Sequence, residues 1–169
     1  MSLIGKKMLS LFNKSSKRPK SQTIGSYEQA KKIGIIYTYE GDKKEEAIDH
    51  IISLINNEKE VDVLCYMNKR ENASSKNPTF RIEQLNNWGK FSSEEASHFL
   101  NSPFDFLIHL DFELNEIMKN MLIHTKAKCR VGFHSEIGND YYELMIGMNK
   151  SAGTSNFAEQ ILKYVKAIR

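Results

Sequence analysis

Hydrophobic positions in this chain follow two rhythms, short continuous runs and stripes at helical spacing, and their alternation predicts its layers. Residues 33–39, from Ile33 to Tyr39, are rich in β-branched and aromatic side chains and too few for a core helix, so they read as a buried strand. The turn Glu40, Gly41, Asp42 follows, and then Ala47, Ile48, Ile51, Ile52 and Ile55 lie on one helical stripe that ends near Asn56 and Asn57. Asp42, with Glu45 three residues on, fits a capping box at the start of that helix. Residues 61–67 are the next strand, which completes a βαβ unit. The unit recurs as the run 104–110, the stripe Leu114, Ile117, Met118, Met121, Leu122 and Thr125, and the run 128–133.

The segments between are less regular. Residues 27–32 read as a short helical stretch, and the polar residues 68–79, which include Pro78, as a loop. Residues 80–85 alternate as a half-exposed edge strand does, and 86–90 make a turn carrying the only tryptophan, Trp88. Ser92 or Ser93 can cap a short helix ending near Asn101. Tyr141 and Tyr142 begin a further strand, 141–148, where one ring should bury and the other stay accessible. Residues 153–156 open a last helix with Phe157, Ile161, Leu162, Val165 and Ile168 on its inner face. The sum is an α/β fold, a Rossmann-like three-layer sandwich with a mainly parallel sheet. Strands 33–39 and 104–110 are expected side by side where the strand order reverses.

Charge divides the chain. Of its 24 basic residues, Lys6, Lys7, Lys14, Lys17, Arg18 and Lys20 lie in residues 1–22 with no acid among them; 18 remain against 21 acidic residues, a net −3. We therefore expect a basic N-terminal arm (1–22) and a single Rossmann-like domain (23–169), with no nucleic acid bound by the folded body. In the arm Ile4, Met8, Leu11 and Phe12 recur at helical spacing. Such a helix can lie on an anionic membrane surface, on a partner or on the protein itself; the alternative is a solvated terminus. No apolar run is long enough to span a membrane, and no continuous apolar stretch marks a secretory signal, so a cytoplasmic location is expected. Cys65 and Cys129 each sit inside an apolar run, with no partner at metal-ligand spacing. They read as reduced core thiols, too far apart in this topology to bridge.

Candidate chemistry gathers at the carboxyl ends of the two central strands. His109 and Asp111 share a strand face and point the same way at the edge of the crevice, and such a pair can act as general base or bind a metal. The alternative readings are structural: Asp42 and Asp111 both precede helices, where aspartate serves as an N-cap, and His109 can be an interior histidine. His134 is equally ambiguous. Trp88 and Lys90 can stack a sugar or base and hold an anion, or Trp88 can fold back as a lid on the core. Neither G-x-G-x-x-G, nor the P-loop pattern, nor Gly-x-Ser-x-Gly occurs, which sets aside familiar dinucleotide enzymes and α/β-hydrolases. No cofactor and no metal is expected.

Asn87-Trp88-Gly89-Lys90, Phe104-Asp105-Phe106-Leu107-Ile108, Ala127-Lys128-Cys129-Arg130-Val131-Gly132 and Tyr141-Tyr142-Glu143-Leu144-Met145-Ile146 resemble an uncharacterised family of short proteins from Bacteroidetes. That resemblance implies boundaries and no activity. The Gly41-Asp42 turn and the strands at 104–111 and 127–133 are also similar to the N-terminal half of heptosyltransferase-like glycosyltransferases. That second resemblance implies that Asp42 stands beside an acceptor sugar. The proline that follows the turn in those enzymes is replaced here by Lys43, and their donor-binding second domain has no counterpart in this chain. The expected role is a non-enzymatic binding or interaction module, with a nucleotide or sugar as candidate ligand. The alternatives are a sugar-nucleotide-dependent, glycosyltransferase-like protein whose donor site comes from a partner, and a peripheral tether acting through the arm.

Overall fold

The computed structural model describes residues 9–11, 13–14, 24–55, 57, 59–68, 74–86 and 90–168. Six strands form one sheet: β1 (Lys32–Thr38), β2 (Glu60–Met67), β3 (Thr79–Arg81), β4 (Phe106–His109), β5 (Cys129–Phe133) and β6 (Leu144–Ile146). Their spatial order is β3-β2-β1-β4-β5-β6, and every pair is parallel. This is the doubly wound order, and β1 with β4 is the pair at which it reverses. Cys65 on β2 and Cys129 on β5 lie on opposite sides of that pair, both free and buried. Burial pushes the Cys65 thiol up to about 11 and the Cys129 thiol up to about 12, as expected of inert core thiols.

The continuous apolar runs become strands because both sheet faces are covered. Ile33, Ile35 and Tyr37 on one face of β1 join Ile48 and Ile51 of α1 (Asp42–Leu54) and Phe157, Ile161 and Val165 of α4 (Gly153–Lys166) in one core. Ile36 on the other face joins Phe99 of α2 (Glu94–Asn101) and Met118, Met121 and Leu122 of α3 (Glu116–His124) in a second. The result is a three-layer sandwich. Ser93 caps α2 by accepting a hydrogen bond from the Ala96 amide.

Several local expectations change. Residues 27–29 form only a turn. The alternation at 80–85 becomes three residues of edge strand, β3, followed by a 3-10 turn at Ile82–Gln84, because Gln84 folds back to accept from the Arg81 amide. The last strand is shorter than 141–148 and begins only at Leu144. Tyr141 and Tyr142 precede it, and both are buried, since a 3-10 turn at Ile137–Asp140 folds them onto the second core. Leu9 and Asn13, inside the expected arm, are buried too: Leu9 joins the second core, and the Asn13 amide donates to the Glu116 carbonyl and carboxylate. Leu11 points outward.

Three substitutions test this packing. A Cβ on Gly132 would stand 2.3 Å from the Tyr142 ring, whereas one on Gly25 meets nothing within 4 Å. Gly132→Ala should lower stability by about 1–3 kcal/mol or more in urea unfolding, and Gly25→Ala by less than about 0.5 kcal/mol. Leu9→Ala should cost about 2–3 kcal/mol in the same assay, because it opens a cavity in the second core.

Candidate functional site

Where β4 runs out, its neighbour β1 still has an unpaired amide, and a side chain completes the ladder. Ladder pairing of β1 with β4 ends at Ile36 and His109, and the Leu110 amide still donates to the Ile36 carbonyl. The next inward-facing amide of β1, Thr38, donates instead to the Asp111 carboxylate at 3.0 Å and 3.1 Å, and the Thr38 hydroxyl donates at 2.7 Å. The other end is built alike: Asp105 accepts from the amides of Lys31 and Lys32 and from the Lys128 ammonium. Two aspartates thus clamp the β1–β4 seam at both ends.

Asp111 is 4% exposed and is the centre of a longer chain. Its Oδ1 meets the buried Lys44 ammonium at 2.8 Å, and Lys44 reaches on to Glu40 at 3.2 Å. Its Oδ2 lies 3.1 Å from His109 Nε2, and His109 Nδ1 lies 2.6 Å from the Tyr142 hydroxyl. With a neutral ring this network closes in one way: Tyr142 donates to Nδ1, and Nε2–H donates to Asp111. Burial alone would raise the Asp111 carboxyl, but the pairs with His109 and Lys44 outweigh it and hold the group far below the usual carboxylate range. Burial pushes the Tyr142 hydroxyl up, which keeps it a donor.

The sequence brings His109 and Asp111 together as expected, and the structure gives both a structural task. His109 is fully buried with both ring nitrogens engaged. Asp111 meets Lys44, His109 and two groups of Thr38, which fills the four lone-pair sites of a carboxylate. It is not an N-cap: α3 begins at Glu116, and Asn115 caps it by accepting from the Met118 amide. Asp42 is not one either. It is the first, exposed residue of α1, Gly41 occupies the cap position at φ 96°, and no side chain caps it. Glu45 turns inward to accept from Tyr37 and Ser75 instead of closing a capping box. Lys90 is exposed beside Phe91, and its amide donates to Asn86 Oδ1. His134 is exposed just past β5. Trp88 lies outside the described residues.

Beyond the clamp the crevice opens. A cleft of about 380 Å³ is lined by Thr38, Glu40, Phe112, Glu113, Asn115 and Lys150, with Asp111 at its floor. A second, of about 350 Å³, shares Glu40 and continues past Lys43 and Lys44 to Gly153, Thr154 and Ser155 at the start of α4. Both sit at the carboxyl end of the sheet, at or beside the switch point. Lys44, Lys150 and Asn115 escaped the sequence reading: Lys44 stands in a Lys-Lys-Glu-Glu run that looks solvated, and its buried partner is 67 positions away. Among the described residues no group of three or more His, Cys, Asp or Glu could hold a metal ion, and no helix is long and apolar enough to cross a membrane.

The chain belongs to a family of unknown function (DUF6913), whose model matches residues 4–168. That span takes in most of the basic N-terminal segment as well as the sandwich. No curated protein and no solved structure matches it.

The clamp has a pH signature. A carboxyl depressed on folding contributes stability that is complete above the unfolded value of about 4 and is lost as pH falls below it. Asp111→Asn leaves the buried Lys44 ammonium without its main partner and should cost about 3–5 kcal/mol at pH 7. Urea unfolding at pH 7, 5 and 3 should show the gap between wild type and variant narrowing at the acid end. Asp42→Asn should change stability by less than about 0.5 kcal/mol throughout.

Proposed function

We propose that this member of the family is a binding module whose ligand occupies the crevice beyond the β1–β4 seam, and that it performs no chemistry there. One observation carries the reading: the groups best suited to acid–base work, His109 and Asp111, are spent on one another, Tyr142, Thr38 and Lys44. What faces the crevice is different in kind. Glu40, Glu113 and Lys150 are 60%, 89% and 53% exposed at their side chains, and Glu113 and Lys150 sit 3.9 Å apart. Exposed, paired charges on loops suit reversible recognition more than a tuned proton transfer.

The lining favours a small hydroxyl-rich ligand that also carries an anionic group, such as a sugar phosphate or a nucleotide. Carboxylates at Glu40 and Glu113 accept from hydroxyls, Lys43 and Lys150 meet the anion, and the half-buried Phe112 offers an aromatic face. The second reading is a glycosyltransferase-like protein acting with a partner that supplies the donor site. The same carboxylates favour it, since they can seat an acceptor sugar. Asp42, the residue that resemblance singles out, lines neither part of the crevice.

A ligand bound at 100 times its Kd stabilises the fold by about 2.7 kcal/mol, which a thermal melt reads directly. Sugar phosphates, nucleotides and sugar nucleotides should be screened against the wild type and the double variant Glu113→Gln, Lys150→Gln. At least one class should raise the wild-type Tm and leave that of the variant unmoved, while the two unliganded proteins melt together. A shift that survives in the variant would place the ligand elsewhere, and no shift with any class would remove the reading.

A further inference from the structure

A second feature lies toward the β3 edge of the sheet. β2 is eight residues long, but its outer neighbour β3 pairs only with Cys65, Tyr66 and Met67. The Cys65 amide donates outward to the Pro78 carbonyl, which fixes the parity of the strand. Val61 and Val63, four and two positions earlier, therefore turn their own N–H and C=O groups outward, away from β1, and among the described residues no strand lies on that outer side of them. A groove of about 530 Å³ runs along this open edge, between Val61–Leu64 on one side and Glu94, Glu95, His98 and Phe99 of α2 on the other. Asn77 and Pro78 close its end.

We propose that this groove takes an extended basic segment of a partner protein, which adds to the sheet as a strand beside β2. Main-chain pairing to Val61 and Val63 supplies the affinity, and the pleat dictates the sequence. Asp62 and Leu64 share the face turned toward α2, so alternate residues of the added strand would face Phe99, Glu94 and Glu95. Lysine or arginine fits there, the stem lying on Phe99 and the charge meeting the exposed carboxylates. Asp62 is already held by Lys32 at 2.8 Å, so Glu94 and Glu95 set the preference. The intervening residues lie beside Val61 and Val63 and should be apolar and β-branched. A second copy joined edge to edge fits worse, because Glu60 and Asp62 would meet their own kind across a two-fold axis.

The test uses the full chain and a capped hexapeptide of alternating Lys and Val, titrated by NMR to about 1 mM, with its Glu–Val counterpart and two N-methylated forms. The Lys–Val peptide should shift the amides of residues 61–63 and 94–99, weaken as salt rises, and lose binding in only one of the two N-methylation registers. The Glu–Val peptide should not bind. Glu94→Lys, an exposed change whose folding is checked by its melt, should raise the Kd about tenfold while leaving the crevice residues unperturbed. Equal binding of both N-methylated forms, equal binding of Glu–Val, or no shift at about 1 mM would each overturn the proposal. So would a concentration-dependent dimer that the peptide dissociates, which would give the groove to a second copy.

Discussion

The seam between β1 and β4 holds the two halves of this sheet together, and it is short. β4 contributes four residues, so main-chain pairing alone would leave both ends of the longer β1 with unpaired amides facing inward. An unpaired buried amide costs about as much as a lost hydrogen bond, and often more. Asp105 and Asp111 remove that penalty at the part-buried amides of Lys32 and Thr38, and Asp105 accepts from the exposed Lys31 amide as well. Each carboxylate does with a side chain what another turn of the ladder would do with a carbonyl. Because the order reverses at this seam, the helices that follow β1 and β4 leave to opposite faces, and neither covers its carboxyl end. A clamp is needed there more than anywhere else in the sheet.

The clamp at Asp111 brings a buried cation with it, and the cost decides the surroundings. Lys44 is 3% exposed on α1, and taking an ammonium out of water is expensive unless it is paired and hydrogen-bonded. Asp111 and Glu40 pair it. His109 and Tyr142 then settle the remaining lone pairs and protons, so the chain Tyr142–His109–Asp111–Lys44 runs from the second core to the helix on the opposite face. Gly132 is part of this arrangement, since the Tyr142 ring lies where a Cβ would stand. Arg130, almost fully buried, is settled in the same manner, in two bonds to Glu143 and one to the Leu122 carbonyl. Layers that could slide on apolar contacts alone are thereby pinned in one register.

This explains what was legible in the sequence and what was not. The four central strands and the three long amphipathic stripes were, because burial on two faces or on one writes a local pattern. The roles of Asp42 and Asp111 were not. Between β4 and α3 the chain offers Asp111 and Asn115, either of which can cap a helix, and local chemistry does not choose. The choice is made 73 positions away by the amide of Thr38, which needs an acceptor. Likewise the alternation at 80–85 reads as a strand until Gln84 competes for the Arg81 amide, and nothing in the pattern of Tyr141 and Tyr142 announces that His109 needs the second ring. Local propensity yields wherever a buried polar group elsewhere has a stronger claim.

The separation between clamp and crevice has a functional consequence. In a doubly wound sheet the carboxyl end of the switch point is where a ligand fits, and groups at the strand ends usually serve it. Here the strand-end groups are committed to the fold, and on the proposed reading recognition falls to exposed residues outside the clamp, Lys43, Glu113 and Lys150, together with Glu40, which also pairs Lys44. A chain arranged in this way can change its ligand without risking its sheet. It also cannot readily gain catalysis at the same place, because freeing His109 or Asp111 for a substrate would strand the Lys44 ammonium and the Thr38 amide. The physical cost of opening the clamp is thus the reason for proposing that this crevice holds a molecule without transforming it.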